Sequence, residues 1–255
     1  MNAKAVLFES VLSHPSLSFL TDTLHSMDGT LIDSSPAVTA AWQLLEATGY
    51  DFLDLPHILA SAHGYRTIDA LRKWCNIQDE VILRKEVVRF EEAILSNASN
   101  TDGGGIVALP GVKNLLHAIQ ADRPDENQVW NVCTSSTHFY ASRALPAAGL
   151  KTPLNFVTAE SVNRGKPAPD PYLLGAKFSG VDPRQCIVVE DAPTGIRSGK
   201  AAGCFVLAIC TSHTRAALEN PDFLVEDLSQ YVSCPAFFFL CSLSSSALLI
   251  RARAA

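Results

Sequence analysis

The chain has 255 residues, 47% of them apolar, and a formal charge of −6. That length suits one domain carrying an insertion, or two small domains, with apolar residues enough for a sizeable core. The acidic balance excludes a surface built for nucleic acid or anionic membrane. Seven cysteines without a CxxC pair, most of them in apolar runs, read as buried thiols in a reducing, cytoplasmic compartment.

In chain order, the start is no convincing signal peptide, because Glu9 interrupts a short apolar run. Ala5-Val6-Leu7-Phe8 looks like the end of a buried strand. Residues 9–26 (ESVLSHPSLSFLTDTLHS) do not continue it, and LTDTLH makes a poor buried strand. Met27-Asp28-Gly29-Thr30-Leu31-Ile32-Asp33-Ser34 follows. From Ser35 to Gly105, apolar residues recur at helical spacing (Ala41, Leu44, Leu45; Ile68, Leu71; Phe90, Ile94) with no clear strand. Asp33-Ser34-Ser35-Pro36 and Thr101-Asp102-Gly103-Gly104-Gly105 are plausible hinges at its edges.

From Gly111 onward, short apolar strands alternate with helical patterns. Strands are expected near 129–133, 155–158, 186–190 and 204–209, and helices near 112–121, 137–148, 171–179 and 194–202. That alternation implies an α/β fold, a Rossmann-like, doubly wound parallel sheet with helices on both faces. Polar motifs fall at the C-terminal ends of its strands, where such sheets hold ligands. The tail from Tyr231 is apolar, serine-rich and basic at its end. Its run from Pro235 to Ile250 is shorter than the roughly 18 residues expected of a membrane span.

Four strings stand in a fixed order: Met27–Ser34, Val129-Trp130-Asn131-Val132-Cys133-Thr134-Ser135, Arg164-Gly165-Lys166-Pro167-Ala168-Pro169, and Cys186-Ile187-Val188-Val189-Glu190-Asp191-Ala192-Pro193-Thr194-Gly195. Each has a plain structural reading alone: Glu190-Asp191 as acids at a helix N-terminus, Lys166 as a solvated charge, Thr134-Ser135 as a helix cap. Together and in order they resemble the motifs of the haloacid-dehalogenase-like (HAD) hydrolases. The resemblance implies a core of residues 1–34 and 106–230, a small helical cap at 35–105, and a tail at 231–255 outside the pattern. It also implies a Mg2+-dependent phosphatase with a phospho-aspartyl intermediate, acting on a small phosphate ester, with no nucleic-acid or membrane partner, as a monomer or weak oligomer.

The chemistry explains the residue types. A phosphate monoester is a dianion attacked in line, so its site must neutralise charge and position a nucleophile. Thr134 would donate a hydroxyl to the phosphoryl oxygens, helped by Ser135, and Lys166 would supply a fixed positive charge. Glu190 and Asp191 would be hard oxygen ligands for Mg2+, joined in the family by the Asp28 backbone carbonyl. Asp28 would protonate the leaving oxygen and then activate water. Gly29 lets the chain turn sharply, and Gly29 and Thr30 would lie against the substrate. In the cap segment, His63-Gly64-Tyr65-Arg66-Thr67 resembles a loop of the glycerol-phosphate and 2-deoxyglucose-6-phosphate phosphatases, as do LPGV, THFYASRAL and RGKPAPDPYLLGA elsewhere. On that resemblance His63, Gly64 and Arg66 would reach the substrate, a polyol or sugar phosphate with glycerol phosphate favoured and 2-deoxyhexose 6-phosphate next. His63 as a helix cap and Arg66 as a solvated charge are the competing readings.

The departure lies just upstream. The family's pattern is strand, then DxDGT, and the first Asp is its nucleophile; here that slot holds Ser26. Collapsing residues 9–26 to one Asp would give KAVLFDMDGTLIDS, a full motif. Glu9 and Ser26 can be encoded so that the removed bases begin with GT, end with AG and leave an Asp codon, which is the signature of a retained intron. Serine is a poor unassisted nucleophile and supplies no carboxylate to a metal, so the chain as written is expected to be impaired. A phosphoglucomutase-like enzyme and a catalytically dead binding protein are the alternatives.

Overall fold

The computed structural model describes residues 22–99, 105–122, 130–154 and 156–230. Its main sheet has six parallel strands: β1 (Asp22–His25), β4 (Trp130–Cys133), β5 (Phe156–Val157), β6 (Cys186–Glu190), β7 (Phe205–Ile209) and β8 (Phe223–Val225). Their order is β5-β4-β1-β6-β7-β8. A second ladder pairs β2 (Ile32–Asp33) antiparallel with β3 (Val107–Ala108). Four helices lie between those two strands: α1 (Ser35–Ala47), α2 (Leu55–Ser61), α3 (Thr67–Trp74) and α4 (Glu80–Ser96). Then come α5 (Val112–Asp122), α6 (His138–Ala147), α7 (Asp170–Ser179) and α8 (Pro193–Ala202). Among the described residues no helix is long and apolar enough to cross a membrane.

The strand side chains alternate between two cores, as parallel sheets covered on both faces require. Ile187, Val189, Leu207 and Ile209 face one core, with Leu115 and Ile119 of α5 and Tyr140, Ala141 and Leu145 of α6. Cys186, Val188, Val206 and Ala208 face the other, with Tyr172 and Ala176 of α7 and Ile196 of α8. The expected strands and helices from residue 112 to 209 are all present, with bounds within two residues.

The central strand departs from expectation. Asp22-Thr23-Leu24-His25, read as too polar for a buried strand, lies between β4 and β6, and all four residues are buried. The slot satisfies backbone N–H and C=O groups on both sides at once, and that pairing decides the outcome over side-chain preference. The composition still has a cost. Leu24 joins the α7–α8 core, but Thr23 and His25 stand opposite Ile187 and Val189 of β6. Among the described residues, neither His25 ring nitrogen nor the Thr23 hydroxyl has a hydrogen-bond partner. Burial pushes His25 down to about 3. The segment Ala5–Phe8 lies outside the described residues, as do most of residues 9–26 and the tail.

The helical insert has its own apolar centre. The ring of Trp42 on α1 lies 4.8 Å from Phe90 of α4 and 6.5 Å from Trp74. The β2–β3 ladder ties the chain's exit into the insert to its return, with Ile32 opposite Ala108 and Asp33 opposite Val107. Of the two expected hinges, residues 33–36 therefore start from a paired strand. Thr101–Gly104 lie outside the described residues.

Candidate active site

The site begins where β1 ends. Ser26 N continues the ladder to Val189 O at 3.0 Å, and the chain then folds back on Met27, whose carbonyl accepts from the amides of Thr30, Leu31 and Ile32. Gly29 takes a positive φ of 76° there. A Cβ on it would lie 2.1 Å from Asp191 Oδ2 and 2.2 Å from Ser212 Oγ, so no other residue fits.

This loop aims Asp28 at a cavity of about 210 Å3 between the insert and the sheet. Three hydroxyls hold its carboxylate: Ser34 Oγ (2.6 Å) and Tyr140 OH (2.9 Å) donate to Oδ1, and Ser136 Oγ (3.0 Å) donates to Oδ2. Burial, then the Asp28 charge, raises the Tyr140 phenol well above its ordinary value, so it stays a donor. Ser26, Thr134 and Ser135 line the same cavity, as do His63, Gly64 and Glu91 of the insert. Thr134 Oγ1 accepts from Ser136 N at 3.0 Å, which leaves its hydroxyl proton for a ligand. Ser135 Oγ donates instead to Gly64 O across 3.1 Å, joining sheet to insert.

Beneath the cavity floor, Lys166 and Glu190 form a buried pair at 2.7 Å, and Lys166 Nζ also donates to Ser26 Oγ at 3.0 Å. Tyr172 OH donates to Glu190 Oε1 at 2.7 Å, and the amides of Asp191 and Ala192 donate to Oε2 at 3.0 and 3.1 Å. Burial and then the Glu190 charge raise the Tyr172 phenol. The Glu190 carboxylate is thus occupied on both oxygens. It anchors Lys166 and the turn after β6.

Asp191 differs. Thr30 Oγ1 donates to its Oδ1 at 2.7 Å, whereas no hydrogen bond reaches Oδ2, which has His63 Nε2 3.0 Å away as a charge contact. Burial opposes charge on both, yet their attraction outweighs it, lifting His63 to about 9 and holding the Asp191 carboxylate below its usual range. Ser212 Oγ lies 3.0 Å from the same His63 nitrogen.

The expected metal set of Asp28, Glu190 and Asp191 does not assemble. Glu190 is held by Lys166 and Ser26 supplies no carboxylate, while the Asp28 side chain, turned to its three hydroxyls, leaves only its backbone carbonyl for the expected contact. Among the described residues no group of three or more His, Cys, Asp or Glu side chains could hold a metal ion. The second oxygen of Asp191 is paired with the His63 cation at 3.0 Å. Mg2+ sites use few protein carboxylates but near-ideal octahedral geometry, and these residues as they stand do not fit one.

The remaining expectations divide. Asp28, Gly29, Thr30, His63, Gly64, Thr134, Ser135 and Lys166 converge. Arg66 stands at the edge of the cavity: its Nε donates to Asp69 Oδ2 at 2.6 Å, and its side chain packs on Gly165, next to Lys166. Ser34, Ser136, Tyr140, Tyr172, Ser212 and Glu91 were not anticipated. Ser34, Tyr140 and Tyr172 lay inside quoted strings (MDGTLIDS, THFYASRAL and RGKPAPDPYLLGA) without being singled out.

Residues 27–203 match the model of the haloacid dehalogenase-like hydrolases, a match that begins just after Ser26. Hexitol phosphatase A of Escherichia coli is 40% identical over 208 residues, 81% of this chain and 91% of that protein. Glycerol-1-phosphate phosphohydrolase 2 of Saccharomyces cerevisiae is 36% identical over 198 residues, 74% of each. The yeast 2-deoxyglucose-6-phosphate phosphatase 1 is 27% identical over 223 residues, 81% of this chain and 87% of that protein. A hydrolase from Pseudomonas syringae shares the fold with a TM-score of 0.71 at 23% identity, over 83% of this chain and 96% of that one. A β-phosphoglucomutase from Clostridium difficile does so with 0.68 at 21%, over 83% and 92%.

Proposed function

We propose that this chain, which belongs to the haloacid dehalogenase-like hydrolases and is a phosphoric monoester hydrolase by that descent, takes a small polyol or sugar phosphate and that Ser26 blocks its turnover. Glycerol phosphate and hexitol phosphates are the favoured esters, with 2-deoxyhexose 6-phosphate next. The observation that carries the reading is Ser26 Oγ, 3.0 Å from Lys166 Nζ and on the same cavity wall as Asp28. A lysine beside the attacking atom and an acid held by three hydroxyls are what an in-line displacement at phosphorus needs.

The roles follow from position. Lys166 neutralises the phosphoryl group, and Thr134 donates to one of its oxygens. The helical insert acts as a cap, and the cavity of about 210 Å3 lies below the usual range of roughly 300–1,000 Å3 for ligand pockets, which favours a small ester over a phosphoprotein. With a carboxylate at position 26 and Asp28 entering protonated, the carboxylate oxygen attacks phosphorus, the ester P–O bond breaks, and Asp28 gives its proton to the leaving alkoxide. Water then attacks phosphorus, the P–O bond to the position-26 carboxylate breaks to release inorganic phosphate, and Asp28 takes up the proton that water loses. Ser26 cannot begin this sequence unaided, since its hydroxyl is not ionised near neutral pH. Hydrolases of this family generally use Mg2+; here the donor set lacks the carboxylate that Ser26 replaces.

The same residue favours a second reading, a protein that binds a phosphate ester without turning it over. The deciding experiment measures phosphate release from glycerol 3-phosphate, a hexitol phosphate and 2-deoxyglucose 6-phosphate. It compares the chain as written with one in which residues 9–26 are collapsed to a single Asp. Turnover by the collapsed form alone supports the hydrolase reading and names the ester. Two folded but inactive forms that still bind the esters support the binding protein. A bisphosphate requirement would bring the mutase reading forward.

A further inference from the structure

Glu91 is the one carboxylate of the insert that lines the cavity and is almost completely buried, at 1% exposure. A buried carboxylate must find donors, and its donors come from two different units. Thr67 Oγ1, at the start of α3 in the insert, donates to Oε1 at 3.0 Å. Thr137, which caps α6 of the core, sends its hydroxyl to Oε2 and its amide to Oε1 at 3.4 Å.

Thr137 also faces the other way. Its Oγ1 accepts from Tyr140 N at 3.2 Å, fixing the first turn of α6. Tyr140 stands on that turn, and its hydroxyl donates to Asp28 Oδ1 at 2.9 Å. The N-terminus of α6 favours nearby negative charge. It has a second acid on its outer side, Glu160, whose carboxylate accepts from His138 N at 3.1 Å. A continuous set of contacts therefore runs from α3 and α4 through Glu91, Thr137 and Tyr140 to Asp28.

We propose that Glu91 is a positioning residue, clamping the helical insert to the start of α6 and thereby holding Tyr140 against Asp28. Docking of the insert on α6 and orientation of the proton-transferring acid are thereby linked. This rests on the reading of Asp28 given above.

The test has two arms. In the chain as written, hydrogen exchange is followed at the amides of Thr137–Tyr140 and of α7 and α8, for wild type, Glu91→Ala, Glu91→Gln and Tyr140→Phe. The clamp requires Glu91→Ala to speed exchange at Thr137–Tyr140 by roughly 10-fold or more, Glu91→Gln to do so less, and α7 and α8 to keep their rates. Unchanged exchange at Thr137–Tyr140 in the folded Gln and Ala variants overturns the clamp. In the second arm, turnover of glycerol 3-phosphate is measured on a Ser26→Asp background. The Glu91→Ala, Tyr140→Phe double variant should lose no more kcat than Tyr140→Phe alone, because Glu91 acts through Tyr140. Losses that multiply overturn that link. If Ser26→Asp shows no turnover, the arm is run in the chain with residues 9–26 collapsed to a single Asp, and no turnover there fails the hydrolase reading separately. The link is then judged from the exchange rates of the two single variants and the double variant.

Discussion

Lys166 Nζ donates to Ser26 Oγ across 3.0 Å, deep enough that the lysine side chain is only 2% exposed. A hydroxyl in that position leaves a cation beside a neutral oxygen. Ser26→Asp gives the lysine a second carboxylate and the site its attacking oxygen. Phosphate release should rise by on the order of 10^3-fold or more, in line with what loss of a nucleophile costs other hydrolases. Ser26→Ala should leave the already impaired chain unchanged. The measurement is steady-state release of inorganic phosphate, and wild-type-like turnover in a freely active parent with Ser26→Ala would move the role elsewhere.

Breaking the Lys166–Glu190 pair should be costly. Lys166→Met leaves Glu190 buried with Tyr172 and two amides as its remaining partners. Removal of one member of such a pair costs about 3–5 kcal/mol. Adding Glu190→Gln should return a large part of it, because the uncompensated charge goes. Urea unfolding of the two variants checks both statements.

His25 predicts an acid-side weakness. Its ring is held near 3 in the folded strand, against 6.5 when exposed. Below about 6.5 the unfolded chain takes up a proton that the folded one refuses, so stability present above that pH declines as pH falls toward 3. His25→Val removes two unpartnered nitrogens from the centre of the sheet. It should stabilise the fold at neutral pH by about 1–3 kcal/mol and flatten the acid decline, read from midpoints of thermal unfolding between pH 3 and 8.

Glu91 has the opposite slope. Burial, partly offset by Thr137 and Thr67, raises it from 4.5 to about 7. Above 4.5 the unfolded chain releases a proton that the folded chain keeps, so stability falls as pH rises to about 7 and then levels. Glu91→Gln should abolish that decline and leave the His25 limb intact. Comparing the two variants separates effects that partly cancel in the wild type between about 4.5 and 6.5.

These residues also mark how far sequence reasoning reaches. Strands β4, β6 and β7 and helices α5 to α8 were legible because their apolar spacing matches the two cores they face. β1 was not: Asp-Thr-Leu-His carries no strand pattern, and hydrogen bonding to neighbours on both sides put it in the sheet. β8 and the two-residue β2–β3 ladder are too short to leave a periodic signal. In the site, Asp28, Thr134, Lys166 and Asp191 were legible as local strings. Tyr172, Ser212 and Glu91 were not, since their partners come from other segments; Ser34 sits in the same string as its partner Asp28, but a string does not show which hydroxyl meets which carboxylate. The Asp69 contact of Arg66, three residues on, also left no sign in the motif that holds it.

The fold-back of Met27 to Ile32 is held by its own backbone: one carbonyl gathers three amides, and Gly29 N returns to Ile32 O at 2.8 Å. Nothing in that knot depends on which side chains precede it. The loop behaves as a self-contained part, delivered by a strand whose place is fixed by its backbone pairing with β4 and β6. A change to the upstream strand, by splicing or by design, can therefore erase the chemistry at position 26 while the rest of the site keeps its shape.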